Sequence, residues 1–311
     1  MASPELAQLV ARLRATKISG DQPIEEMRVS WDKFATAFPP APDLSLASVA
    51  ARGVPSEWVS APGADESRIV LYLHGGGYCI GNLASCRNFA GRASRAACAR
   101  VLSVGYRLAP ENPFPAAVED GLASYRWLLD QGIPSSRIAL LGDSAGGGLA
   151  IATAVALRDA NDPLPAAIVA VGPLTDLAKE SPSLKERAHL DPIVTYEGSM
   201  INARRYVGQH GDLKNSLASP LYAALEGLPR MLILVGTHEC LFDDSTRFAS
   251  KAKAAGVPVE LDIWEEMIHD WPLFADVLPE GHEAIEKMGR YIRAAIPVSP
   301  AAIDPRTIAM K

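Results

Sequence analysis

Short apolar runs recur along the chain from about Arg52 onward, at Arg68 to Leu73, Val101 to Tyr106, Ile138 to Leu141, Ala167 to Val171, Met231 to Val235 and Val259 to Ile263. Each has the length of a strand, and several are apolar at consecutive positions, as in strands covered on both faces. Helical stripes lie between them: Val118, Leu122, Tyr125 and Leu129 fall on one face, and Ile285, Met288 and Ile292 on another. The alternation predicts an α/β fold, with a central, mostly parallel sheet flanked by helices.

Two stretches interrupt the alternation. Residues 1–45 read as helices ending at Pro39-Pro40-Ala41-Pro42, and residues 178–215 contain a helical stretch around Ser199 to Gln209. Both are expected to form a helical cap, leaving 46–177 and 216–311 as the two parts of the core. Ser3-Pro4-Glu5 is the signature of an N-cap, a first-turn proline and a first-turn acid, followed by Leu6, Leu9, Val10 and Leu13 at helical spacing. Trp31, Phe34 and Phe38 share a face in the first stretch, and Tyr196, Met200, Ala203 and Val207 share one in the second. Packing of cap on body explains such stripes as well as substrate contact does; Trp31, Phe34, Tyr196 and Met200 are the candidate contacts.

Composition narrows the function classes. At 311 residues, 48% hydrophobic and 21% charged, the chain is an ordinary globular one, long enough for a large core. A net charge of −6 and a single basic doublet, Arg204-Arg205, argue against nucleic-acid binding. Cys79, Cys86, Cys98 and Cys240 lack metal or disulfide spacing and read as free thiols. No apolar stretch reaches the roughly 18 residues that span a bilayer, and no signal-peptide core is present. The expectation is a soluble, cytoplasmic protein without stable membrane association, metal or cofactor.

The chemistry concentrates at two glycine-rich segments, each just after a strand-like run. Ile138 to Leu141 leads into Gly142-Asp143-Ser144-Ala145-Gly146-Gly147-Gly148, and Leu149 to Arg158 reads as helix. Strand, tight turn and helix around G-x-S-x-G is the context of a nucleophile elbow, which holds a serine exposed at the end of a sheet. A glycine-rich phosphate-binding turn is the rival reading. The second segment, His74-Gly75-Gly76-Gly77, follows the run ending at Leu73. Serine attack on a carbonyl needs backbone donors aimed at the developing oxyanion, and the amides of Gly76, Gly77 and Ala145 are the candidates.

These segments, with Tyr106-Arg107-Leu108-Ala109-Pro110-Glu111, Phe114-Pro115-Ala116-Ala117, Asp191-Pro192, Ser219-Pro220-Leu221 and the region closing through His269, resemble the hormone-sensitive-lipase-like bacterial esterases of the α/β-hydrolase fold. The similarity covers nearly the whole chain. It implies a triad in the order nucleophile, acid, base. Glu239, after Met231 to Val235, fills the acid position where most relatives carry aspartate; Asp243 and Asp244 are rivals whose other role would be to cap a helix starting near Ser245. His269 fills the base position, with His238 and His282 as competitors; Asp270 stands where the family usually has a small residue.

The resemblance therefore implies a serine carboxylesterase acting on small-molecule esters of short to medium acyl chains through an acyl-enzyme. Activity should rise through about pH 6 to 7 as His269 becomes neutral. Lactone hydrolysis and acyl transfer use the same groups. The plant gibberellin receptors, which share the fold, would offer a non-catalytic role, but they lack the base. A homodimer through an edge strand near Val259 is a further expectation.

Overall fold

The computed structural model describes residues 2–16 and 22–297. Its centre is an eight-stranded sheet of β1 (Ser45–Ala51), β2 (Val54–Ser60), β3 (Asp65–Leu73), β4 (Ala99–Val104), β5 (Ile138–Asp143), β6 (Ala167–Val171), β7 (Met231–Gly236) and β8 (Val259–Trp264). The order across the sheet is β1-β2-β4-β3-β5-β6-β7-β8. From β4 to β8 every neighbouring pair is parallel; β1 and β2 form an antiparallel hairpin, and β2 runs antiparallel to β4. The mostly parallel α/β sheet is what the apolar runs predicted; the six runs are β3 to β8, and the β1–β2 hairpin is an addition to them.

Within the continuous apolar runs the pleat sorts side chains by alternation. Ile69, Leu71 and Leu73 enter one core cluster while Val70 and Tyr72 enter the other. The first cluster lies under α4 (Ala116–Asp130), α5 (Ser144–Asp159) and α8 (Phe242–Ala254); the second lies under α1 (Pro4–Thr16), α3 (Leu83–Ala97) and α9 (Pro279–Ala295). Burial on both faces is why these runs carry no polar alternation.

Two further helical pieces complete the picture: α2 (Ile24–Ala35) before the sheet, and α6 (Ser183–Glu186) with α7 (Tyr196–Val207) between β6 and β7. Helix α7 stops at Val207, short of the expected Gln209, because Gly208 takes a positive φ of 80°. Helix α5 starts at Ser144 itself and not near Leu149. Ser3 does not cap α1 with its side chain: its amide and hydroxyl both donate to the Glu280 carboxylate, at 2.6 and 2.9 Å, tying the start of α1 to the first turn of α9.

Helix α2 is fastened to the body through Arg28. Its guanidinium donates to the carbonyls of Cys79 (2.9 Å) and Ala109 (3.0 Å) and makes a bidentate pair with Glu111, both contacts at 2.8 Å. Asn82, which caps α3 by accepting from the Ser85 amide, also donates to Asp32 at 2.7 Å. Both fastenings lie beside the loop that carries His74 to Gly77. The fold thereby sets α2 and α7 across from the carboxyl ends of β3, β5, β7 and β8, where an open α/β sheet places its ligand crevice.

Candidate active site

Ser144 joins β5, central in the sheet, to α5, and it does so with φ at +51°, in the left-handed region that costs a non-glycine residue about 1 to 2 kcal/mol. The turn is tight enough that a Cβ on Gly146 would lie 2.0 Å from the Leu73 carbonyl, so helix and neighbouring strand touch backbone to backbone. The hydroxyl of Ser144 is 9% exposed as a residue, opens onto a cavity, and has no hydrogen-bond partner among the described residues.

Asp143 locks the elbow to the glycine loop. Its Oδ1 accepts from the Tyr72 hydroxyl at 2.7 Å and its Oδ2 from the Gly75 amide at 3.0 Å. Burial, reinforced by the charge of Asp270, pushes this carboxyl up to about 7. His74 supports the same loop from below: it stacks on Tyr106 with ring centroids 4.3 Å apart, its Nδ1 lies 2.8 Å from the Gly75 carbonyl, and its own carbonyl accepts from the Tyr106 hydroxyl at 2.7 Å. Burial lowers the His74 imidazole to about 4, so it stays neutral. Gly76 and Gly77 reach the cavity wall with amides that donate to no acceptor among the described residues, and the Ala145 amide is a first-turn amide of α5.

His269 and Glu239 meet in the interior. Nδ1 of His269 lies 2.9 Å from Oε2 of Glu239, and Oε1 of Glu239 accepts from the Gly236 amide at 2.6 Å. Glu239 is fully buried and His269 is 1% exposed. Gly172, after β6, makes room for the pair: a Cβ there would sit 2.6 Å from Glu239 Oε2. The acid loop is braced from outside the sheet by Asp191, whose Oδ2 accepts from the Cys240 amide at 2.8 Å, and by Ser183, whose hydroxyl donates to the Cys240 carbonyl at 2.7 Å. Burial pushes the Glu239 carboxyl up to about 7 against the opposing pull of His269.

The rival acids go elsewhere. Helix α8 begins at Phe242, so Asp243 and Asp244 lie in its first turn and do not precede it as caps. Asp244 accepts from the amides of Thr175 and Asp176 and from the Ser181 hydroxyl, while Asp243 accepts from the Ser183 amide. Both hold the chain after β6 against α8. His238 is half-buried beside the acid, and His282 is exposed on α9.

The Nε2 of His269 makes no hydrogen bond to Ser144. It stands 3.1 Å from Oδ2 of Asp270, out of hydrogen-bond alignment. Burial alone would lower the imidazole; Asp270 and Glu239, one at each ring nitrogen, instead hold it well above 6.5. Asp270 takes a left-handed backbone with φ at +53°.

Ser144, His269, Gly76 and Gly77 share the wall of one cavity of about 150 Å³ with Leu13, Met27, Trp31 and Phe34 from the N-terminal helices and Gly198, Ser199, Asn202 and Ala203 from α7. Of the expected contacts, Trp31 and Phe34 are brought to this wall; Tyr196 and Met200 are not. The α7 face turned to the cavity is the one through residues 198, 199, 202 and 203, rotated from the apolar stripe, and the Tyr196 ring lies instead under the Lys185 ammonium at 4.7 Å. A second cavity of about 160 Å³, between the α3 and α9 surfaces near Arg92 and Asp276, holds none of these groups. Among the described residues no cluster of His, Cys, Asp and Glu could hold a metal, all four cysteines are free, and no helix is long and apolar enough to cross a membrane.

A serine elbow after the central strand, with acid and histidine on loops after later strands, defines the class of α/β hydrolases, and the model of the α/β hydrolase fold matches residues 70–273. An acetyl-hydrolase of Streptomyces hygroscopicus is 41% identical over 300 residues, 95% of this chain and 98% of that one. An esterase of Mycobacterium tuberculosis is 36% identical, over 85% of this chain and 92% of that one. The solved structure of an esterase from the bacterial hormone-sensitive lipase family superimposes with a TM-score of 0.92 at 44% identity, over 95% of this chain and 99% of that one. The chain belongs to the α/β-hydrolase family, in its hormone-sensitive-lipase-like branch of esterases.

Proposed function

We propose that the protein hydrolyses small carboxylic esters through an acyl-enzyme formed on Ser144. The observation that carries this is the buried Glu239–His269 pair opening onto the same cavity as Ser144 and the free amides of Gly76 and Gly77. With Nδ1 held by Glu239, Nε2 is the nitrogen left to take the serine proton. Ser144 attacks the ester carbonyl, and the Gly76, Gly77 and Ala145 amides receive the oxyanion, each donor contributing about 3 to 4 kcal/mol to the transition state. His269 then protonates the departing alkoxide and activates the water that frees Ser144. The missing Ser144–His269 hydrogen bond fits a free enzyme, where catalytic hydrogen bonds close on substrate binding.

The small, largely apolar cavity of about 150 Å³ favours short to medium acyl chains. Across a series of p-nitrophenyl esters, kcat/KM should rise up to about fourfold per methylene while each new methylene is buried, then fall when the wall is reached. Mass spectrometry of a quenched reaction should find the acyl group on Ser144. A rate that keeps climbing through chains of about sixteen carbons, or an acyl group on another residue, would sink the proposal.

The pH dependence expected from an unperturbed imidazole needs revision. Acids at both ring nitrogens stabilise the imidazolium, so the neutral base appears only at higher pH, and the ascending limb of kcat/KM should lie alkaline of the pH 6 to 7 range. Asp270→Asn removes one of those charges and should move the limb back toward acid. Identical limbs in the two proteins would show that Asp270 does not act on the base.

A further inference from the structure

Among the described residues Asp270 is the one acid lining the cavity of Ser144, and neither of its carboxylate oxygens accepts a hydrogen bond from them. Oδ2 faces Nε2 of His269 at 3.1 Å; Oδ1 is buried with no partner among the described residues, in a residue 8% exposed. A buried acceptor without a donor is destabilising, the more so when charged. Trp31, on the same wall, carries a buried Nε1 that also lacks a partner among the described residues. Both of these atoms are covered by their neighbours; the carboxylate oxygen of Asp270 that the cavity reaches is Oδ2.

Their place relative to the reacting atoms says which half of an ester they meet. Nε2 delivers its proton to the oxygen of the leaving alcohol, so that oxygen comes within about 3 Å of Nε2. Asp270 borders the same nitrogen, and the carbons following the alcohol oxygen must pass it. We propose that Asp270 is a specificity-determining residue that reads the alcohol half of the ester: Oδ2, beside Nε2, accepts from a hydroxyl, or pairs with an ammonium, near the ester oxygen. The favoured substrates are partial esters of polyols and esters of amino alcohols, and an acid in the alcohol half is refused by like charge. This rests on the ester-hydrolase proposal above.

The matched pair glycerol monobutyrate and propyl butyrate isolates the effect, since the two share the acyl group and the three-carbon alcohol skeleton. Wild-type kcat/KM should favour the glycerol ester by about ten- to a hundredfold, the range of a hydrogen bond to a charged acceptor. Choline butyrate should outrun its uncharged isostere 3,3-dimethylbutyl butyrate, and carboxymethyl butyrate should be the poorest substrate. In Asp270→Leu the glycerol preference should fall to about one. Asp270→Asn, the milder change, should lose the choline preference and improve on carboxymethyl butyrate. Equal wild-type rates on the matched pair overturn the proposal. So does a variant that slows every ester by one common factor, because that is what a residue acting only on His269 would do. A folded wild type that turns over none of these esters, nor p-nitrophenyl butyrate, brings down the ester-hydrolase proposal and this one with it.

Discussion

Ser144→Ala is expected to lower kcat on a p-nitrophenyl ester by about a million-fold, the scale seen when a serine nucleophile is removed from a working triad. The fold should survive, because alanine keeps the Cβ and the left-handed φ of +51° that the elbow already tolerates. Ser144→Gly separates the two properties of this position. It is equally inactive, yet it relieves the backbone strain and should raise stability by about 1 kcal/mol, read from the urea midpoint of unfolding. Retained esterase activity in a purified Ser144→Ala protein would remove the nucleophile from the mechanism. A glycine variant less stable than wild type would show that the elbow stores no strain.

The second large effect is expected at Glu239. Its two oxygens each face a donor, the Gly236 amide at 2.6 Å and Nδ1 of His269 at 2.9 Å. Glutamine has one acceptor and one donor group in the same volume. Whichever way the amide turns, either Gly236 is left facing an NH2 group, or Nδ1 must become an acceptor, which places the ring proton on Nε2 where the base is needed. Glu239→Gln should therefore lower kcat by about ten-thousandfold with little change in KM, the size of loss that a wrong tautomer brings in serine hydrolases. Asp243→Asn, on an acid outside the site, is the control. If Asp243→Asn were the more damaging of the two in kcat, the acid assignment would be overturned.

The strands from β3 to β7 were legible because their apolar runs lie between two layers of helices; β8 is an edge strand, half-exposed, and carries instead the alternation of Val259, Leu261 and Ile263 with Glu260 and Asp262. The β1–β2 hairpin was not. β1 is an edge strand exposed along most of its length, its residues Ser45, Ala47, Ser48 and Ala50 carry little β signal, and Pro55 interrupts β2. At the site, the motifs announced Ser144, Gly76 and Gly77, since a strained elbow and a donor loop demand particular residues at particular spacings. Asp143 stood inside the quoted motif without a role; only the three-dimensional approach of Tyr72 and Gly75 shows what its carboxylate does. Asp191 was visible as part of a turn, but not as the brace of the acid loop, because its partner Cys240 is far along the chain. Tyr196 and Met200 misled for a general reason. An apolar stripe usually marks the face a helix buries, but α7 buries Gly198, Ala203 and Tyr206, and Gly198 and Ala203 line the cavity while Tyr196 and Met200 stay half-buried away from it.

The Arg28 anchor bears on recombination between relatives. A chimaera cut at residue 45 would take the guanidinium from one parent and leave Glu111, with the carbonyls of Cys79 and Ala109, to the other. A donor parent without a cation at that place would strand Glu111, and an acceptor parent without the acid would leave a partly covered guanidinium unmatched. The functional seam of the N-terminal helices thus runs through residues 79 to 111 as well as through the chain junction. Libraries that exchange these helices to widen substrate range should carry Arg28 and Glu111 as a single cassette.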